Sequence, residues 1–587
     1  MDRERRRFRD WQENPNTKSM NRLNRNRTPG TLACLALLFC LMSWSAVSAP
    51  GHPSSAGVPF DLQGFLDQQV AAGQKRIVIP AGRYRVTPKN QHHLLLRGLK
   101  DLQIIADGVE MICTETTRAL TISHCTNVTV RGLIIDYDPL PFTQGRITGF
   151  SADRKIHEVE LFDGYPGAEA ARPFKYEIFR PDTRTLRCED RYPKKVEAVD
   201  SKHLRVIHER GSANDQEQVG DIIAIGAEYA PHGSAAHAVE CSENVNVRLE
   251  NIDLYASNCF GFLENNCDGS TYYRCRIDRR SPVSDPVKRA DPRIRSLDAD
   301  AYHSKHAIKG PAYLECAARF MGDDCINICG DYHLIMGSQG RELRVLAKHS
   351  LNIQAGDPVE LVTYDGRRLP DAKAVSLQPA GTIRDEERAF LSKQHMDAGL
   401  KAARGALTKA YTVTLDREVD IPMGGVICSA NRIGNGFAVK NCTFGYNRSR
   451  GILIKASQGE VSGNHLEGCW MSAILITPEY WWLEAGSSSD LLITNNTITD
   501  CKGAAISVEA RAGNGRTAPA GAHRNITITG NIVKHGVLPN IRVTSTDGVS
   551  IENNQFYSPR PGKSSGQDQT VQIENCAETK IGNNQVQ

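Results

Sequence analysis

The stretch Leu297–Gly330, LDADAYHSKHAIKGPAYLECAARFMGDDCINICG, carries three aspartates whose spacing suits acid/base chemistry: Asp300, Asp323 and Asp324. Asp300 and Asp323 stand 23 residues apart, and Asp324 follows at once. If these positions converge, mutual repulsion of the carboxylates raises at least one of their pKa values. A carboxylic acid that keeps its proton near neutral pH, beside an ionised one, is what hydrolysis of a glycosidic bond requires. An isolated Asp-Asp pair is ordinarily an acidic turn. The flanking Phe320, Met321, Ile326 and Ile328 argue against a purely solvated loop.

Further residues gather around this motif. His303, three after Asp300, can hydrogen-bond a sugar hydroxyl or tune a carboxylate; a surface histidine is the plain alternative. Asn327 offers an amide to a ligand or to a structural bend. Arg448 and Arg450 alternate, so on a strand both point to one face, where guanidinium forks suit substrate hydroxyls or carboxylates. Of five tryptophans, Trp470, Trp481 and Trp482 lie within one short region. The segment Tyr480–Glu484 is a candidate sugar-stacking wall bearing Trp481, Trp482 and Glu484, or else a plug that holds its loop down.

The elements that must position these residues are legible as a repeat. The pattern of an apolar residue, two residues, Asn, one residue, then an apolar one recurs at Asn464, Asn496, Asn531, Asn554 and Asn584. The steps are 32, 35, 23 and 30 residues, and Asn441 to Asn464 adds another of 23. A period near 23 with a recurring Asn predicts coils of a right-handed parallel β-helix, with longer steps marking inserted loops. The Asn is expected in a tight bend, where it tolerates unusual backbone angles. Consecutive coils are one strand spacing apart, so Asp300 is expected to stack over Asp323. Near the N-terminus, Phe60–Ala72 has helical spacing suited to capping the open end. Lys75–Val86 reads as a strand, a turn and a strand, and Leu102–Ile104, Val128–Val130 and Val245–Val247 read as strands.

Composition bounds the alternatives. Aromatic residues make up 6% of the 587, with many Gly, which favours short strands and turns. The net charge of +4 comes from the N-terminal tail, since residues 1–49 hold nine basic and four acidic side chains; without them the balance is −1. No attraction to nucleic acid follows from that balance. Residues 1–49 read as a basic tail and signal peptide, with an apolar core from about Leu32 to Met42 and cleavage near 46–50. Met20 is an alternative start. The mature protein is thus expected to be secreted or periplasmic, without stable membrane insertion. Fifteen of the 17 cysteines remain after the signal. An odd number leaves at least one unbridged, and Cys316, Cys442, Cys469 and Cys501 read as packing residues.

Two stretches break the period, giving an all-β architecture of a solenoid with two inserted small β-domains. The divisions are 58–138 for the first coils with their capping helix, 139–231 for an insert, and 232–338 for the catalytic coils. A second insert spans 339–432, with a helical segment at 383–406, and further coils run over 433–587. At the level of motif, Asp-Ala-Tyr-His at 300–303 and Asp-Asp-Cys-Ile-Asn-Ile-Cys-Gly at 323–330 resemble glycoside hydrolase family 110. So do Asn447–Leu453 and Tyr480–Gly486. The resemblance spans roughly residues 58–560. It implies a β-helix with barrel-like inserts and inverting hydrolysis that releases α-1,3-linked galactose. By analogy with related β-helix hydrolases, Asp323 is assigned as acid, with Asp300 and Asp324 sharing the base role. The chain departs from the family pattern at Ala301 and Cys329, where Gly and His are usual; both changes touch the pocket.

The expected function is therefore a secreted glycoside hydrolase acting on an oligosaccharide or polysaccharide with a terminal α-linked galactose-type residue. No cofactor and no metal are called for, and a dimer is compatible with the sequence. Two alternatives stand beside it. A β-helix polysaccharide lyase would use the three aspartates to hold Ca²⁺ and Lys305 or Lys309 as base. A carbohydrate-binding solenoid would have no catalytic use for the aspartates.

Overall fold

A computed structural model describes residues 57–191, 193–208, 216–227, 236–402, 405–562 and 569–587. The expected signal segment lies outside them. Alternating apolar residues place short strands on three long parallel sheets of 13, 12 and 12 strands. Successive strands of one coil go to successive sheets, so each sheet collects one strand per coil, the defining topology of a parallel β-helix. Parallel crossovers of this kind are right-handed.

The interior is built from registered columns. One runs Leu120, Val239, Phe262, Tyr302, Ile326, Ile452, Ile474, Ile506, Ile541 and Val571, each directly paired with the next. Phe262 and Tyr302 stack at 5.1 Å. The helix Leu62–Ala71 closes the N-terminal end. Asp61 caps it through Gly64 N, Leu62 and Leu66 enter the core, and Gln63 satisfies both the N–H and the carbonyl of Leu95 on an edge strand.

Asn464, Asn496, Asn531, Asn554 and Asn584 form one continuous ladder. Each amide oxygen accepts from the backbone N–H of the preceding ladder position at 2.9–3.0 Å. Each Nδ2 donates to a carbonyl of the preceding coil at 2.9–3.1 Å. The left-handed backbone is not at these asparagines, as the repeat suggested, but one residue earlier, at Gly463, Asn495, Gly530, Asn553 and Asn583. Asn441 also takes positive φ, so it aligns with Gly463. The ladder position of that coil is Cys442, whose thiol donates to Tyr313 O at 3.5 Å. Cys316 and Cys275 continue the same bend with thiols on Tyr272 O and Leu249 O. The cysteines whose side chains are described are unbridged and, apart from Cys576, buried. The strand near Val245 begins at Arg248, because Asn246 is left-handed.

Between Ile134–Tyr137 and Val239–Ser242 the chain forms a seven-stranded antiparallel sheet. A closed six-stranded barrel, from His333–Gln339 to Val426–Ser429, follows the helix strand Ile326–Asp331. The barrel begins six residues before the sequence boundary of 339, because only Tyr332 separates its first strand from the strand Ile326–Asp331 and the run from Ile326 to Met336 is buried throughout. The charged stretch near 383–406 contributes the helices Asp385–Lys393 and Ala398–Lys401. A further excursion, Arg279–Leu297, gave no signal in the repeat pattern. It is pinned by Asp136, which receives Arg280 at 2.7 Å and Arg293 at 2.8 Å from both sides. Among the described residues no helix is long and apolar enough to cross a membrane.

Candidate active site

The cleft forms where chain bends lead into three consecutive strands of one 12-stranded sheet: Tyr302–Lys305, Ile326–Asp331 and Ile452–Ile454. Tyr302 pairs with Ile326, and Ile326 with Ile452. Two residues upstream, this register stacks Asp300 on Asp324 and Asp324 on Arg450. The sequence spacing had matched Asp300 with Asp323; the local coil is one residue longer, so Asp323 sits beside the column. The bend is tied by Ala301 N to Asp324 O at 2.9 Å and by Asp324 N–H to Asp300 Oδ1 at 3.2 Å.

Asp300, Asp323 and Asp324 each bring a carboxylate oxygen within 4.8 Å of the others. Their environments differ. The Asp300 and Asp324 side chains are 7% and 3% exposed, while Asp323 is 18% exposed. Burial, reinforced by the Asp323 charge, pushes Asp300 well above the usual carboxylate range. Burial pushes Asp324 up to about 8, with Arg450 opposing and Asp300 and Asp323 adding to it. Asp323 also loses hydration by burial, but Arg448, Lys175 and Arg450 outweigh this and hold it below its ordinary value. Without ligand, the protons therefore reside on Asp300 and Asp324, and Asp323 is ionised. That resting distribution is the reverse of what an acid role for Asp323 needs at the start of turnover.

Arg448 and Arg450 are not on a strand. They lie in the bend before Ile452, and they reach one face because the bends stack. Arg448 pairs with Asp323 and donates to Gly322 O at 2.9 Å. Arg450 engages Asp324 through its guanidinium at 3.0 Å and its backbone N–H at 2.8 Å. His303 Nδ1 lies 2.7 Å from Asp300 Oδ2, and its ring stacks on Phe260 at 4.6 Å. Burial and nearby Lys305 hold His303 neutral, down to about 3.

The cleft extends along the sheet as a polar network. Arg450 is 3.6 Å from Glu479, and Lys455 joins Glu479 at 3.1 Å and Glu484 at 3.0 Å. Asn327 sits between Lys455 and Glu484, bonded to both. Glu484 arrives on a loop paired antiparallel to the strand Ile326–Asp331. His303, Cys329 and Glu484 also place ligand atoms within 4.8 Å of one another. In both clusters basic groups already hold carboxylate oxygens: Arg448 and Arg450 on the aspartates, Lys455 on Glu484.

Trp481 packs on His395 of the barrel insertion, ring centres 4.4 Å apart, and the Trp481 and Trp482 rings meet edge to face. This matches the plug reading of that loop better than a sugar wall. Trp470 packs beside the apolar cluster of Phe179, Leu186, Ile222, Ala224 and Ile294, with Lys502 over its ring. Sequence reasoning missed Glu479, Lys455, Asn447 and Lys175. The first two sit beside quoted motifs and alternate with their apolar neighbours. Asn447, which donates to Asp323 O and Arg450 O, was inside a quoted motif. Lys175 comes from a separate domain and left no local signal.

The chain is similar to several known proteins. A family model described as right handed beta helix region matches residues 423–556. Alpha-1,3-galactosidase A of Bacteroides thetaiotaomicron is 27% identical over 354 residues, covering 58% of this chain and 56% of that protein. The aligned part is thus about half of that relative's length. Alpha-1,3-galactosidase B of the same organism is 23% identical, covering 94% of this chain and 93% of the relative. Among solved structures, an Azotobacter vinelandii mannuronan C-5 epimerase A-module aligns with TM-score 0.39 at 11% identity, over 90% of this chain and 96% of that one. The catalytic domain of a GH87 alpha-1,3-glucanase aligns with TM-score 0.38 at 12% identity, over 91% of this chain and 67% of that one.

Proposed function

Taking the chain as a glycoside hydrolase, a divergent relative of the alpha-1,3-galactosidases, we propose that it removes a terminal α-1,3-linked galactose-type residue with inversion, outside the cytoplasm. The observation that carries this reading is the accessibility gradient within the trio. Asp323 is the most accessible of the three and so the one best placed to meet a departing sugar oxygen, while Asp300 and Asp324 are almost fully buried. Asp323 delivers the proton to the glycosidic oxygen and ionised Asp324 draws a proton from the attacking water, while Asp300, which keeps the proton that its burial places on it, lies alongside as a neutral group. The water oxygen bonds to the anomeric carbon as the bond to the leaving oxygen breaks. Turnover then ends with Asp323 ionised and Asp324 protonated, which is the resting distribution of the free enzyme. Return of one proton from Asp324 to Asp323, across a cluster spanning 4.8 Å, resets both roles. A sugar hydroxyl that draws Arg448 away from Asp323 favours that transfer, since Arg448 is the main group holding Asp323 ionised.

The lyase alternative lacks comparable support. Lys305 faces Glu484 at 4.0 Å, and exposed Lys309 lies in the bend leading to a different sheet. The paired state of Arg448, Arg450, Lys455 and Lys348 suits a neutral sugar better than a uronate. The test is incubation with α-1,3-galactosyl oligosaccharides and a panel of aryl glycosides, with NMR of the first anomer formed. β-Galactose is expected. Initial release of α-galactose would reject inversion, and an unsaturated product would favour the lyase. EDTA is expected to leave the rate unchanged.

A further inference from the structure

We propose that Lys175, contributed by the inserted antiparallel sheet, is a positioning residue for the aspartate trio, its ammonium clamping together the two loops that carry them. The proposal rests on the hydrolase reading above. Lys175 lies on the strand Ala171–Phe179 and is fully buried. Its Nζ donates to Gly322 O at 2.8 Å and to Asp298 O. Gly322 immediately precedes Asp323, and Asp298 is two residues before Asp300. One ammonium therefore joins consecutive coils where each turns into the cleft.

Glu177 and Asp298 are each held on one oxygen by Arg295, and Glu177 Oε1 keeps no hydrogen-bond partner of its own. Arg295 Nη1 holds Glu177 Oε2 at 2.8 Å and Asp298 Oδ1 at 2.7 Å, which leaves the Lys175 ammonium to the backbone carbonyls. Burying a charge in this way opposes stability, and an apolar side chain would fill the space without that cost. What the charge does achieve is to fix two carbonyls and to act on Asp323. Gly322 records how closely the loops meet. A Cβ there would fall 2.5 Å from Asp298 O and 3.0 Å from Lys175 Nζ, and would overlap Glu177 Oε1. The charged or titratable groups around Lys175 are Glu177, Arg295, Asp298, Asp323 and Cys259. Those around Asp323 also include Arg448, Arg450, Asp300 and Asp324.

The experiment compares full-length Lys175→Met, Lys175→Arg and Gly322→Ala with wild type and with Asp323→Asn, using an α-1,3-galactosyl oligosaccharide. Lys175→Met is expected to lower kcat about 10²-fold, as for a misplacement on the order of 1 Å, with little change in KM. Its alkaline limb should move upward, because Asp323 loses a nearby cation. Lys175→Arg keeps the charge and should return the limb to its wild-type position with only part of kcat. Gly322→Ala spreads the loops while keeping every charge, so kcat should fall without movement of the limb. Wild-type kcat and pH profile in folded Lys175→Met overturn the clamp. If that variant does not fold, wild-type kcat in both Lys175→Arg and Gly322→Ala overturns it instead. With Asp323→Asn inactive in the same assay, the hydrolase reading survives that result. Absence of glycoside hydrolysis by the wild type would remove that reading and the clamp with it.

Discussion

Asp300 and Asp324 are stacked neighbours on a buried floor, and Asp323 is the exposed member held by Arg448. This asymmetry sets residue-scale expectations. Asp323→Asn should lower kcat by about 10²–10⁴-fold on a natural leaving group, and by far less on an activated fluoride, which needs no proton. An equal loss on both substrates would reject the acid role. Arg448→Met should move the alkaline limb of kcat upward by relieving the depression of Asp323; an unmoved limb would separate the two groups. The same electrostatics affect stability. Asp324 is raised to about 8 when folded, against 3.8 in its unshifted state. The folded state thus binds more protons between these values, so this carboxyl's stabilising contribution is full below about 4 and is lost as pH rises through 8. Calorimetry should find Asp324→Asn gaining in Tm over wild type from pH 5 to pH 8, and a constant difference would contradict the shift.

At the scale of elements, the asparagine ladder makes each bend depend on the next coil. Asn531 satisfies both the N–H and the amide of Asn496, and bonds Ile493 O. Asn531→Ala leaves buried polar groups without partners and should cost about 2–4 kcal/mol in denaturant unfolding. Asn584→Ala, at the half-buried last rung, should cost about 1 kcal/mol, since water replaces part of what is lost. Equal effects at the two ends would contradict the burial argument. The repeat was readable from sequence because the same bend demands the same residue in coil after coil. Its exact register was not, because a left-handed Asn and a ladder Asn are adjacent and alike in sequence, as at Asn495 and Asn496.

For the whole molecule, both insertions reach back to the cleft. The sheet insertion supplies Lys175. The barrel holds the loop bearing Glu479 and Glu484, because Glu360 accepts from Ser487 N–H and Oγ and from Tyr332 Oη. Glu360→Ala should increase deuterium uptake over residues 479–488 while leaving the coils at 523–557 unchanged. Unchanged uptake in the loop would mean that the barrel does not restrain it.

From sequence alone came the solenoid with two insertions, the three aspartates as one group, and the basic and amide side chains near them. Each is a matter of periodicity or residue type, and both are properties of the chain itself. Tertiary structure decided which aspartate lies over which, because a coil one residue longer than its neighbours changes the pairing while barely changing the period. It also decided where the protons rest, since that depends on Arg448, Arg450 and Lys175, all more than 120 residues from the aspartates they act on. Finally, it gave Trp481 its partner: an aromatic run announces burial against something, and only the packed barrel supplied His395.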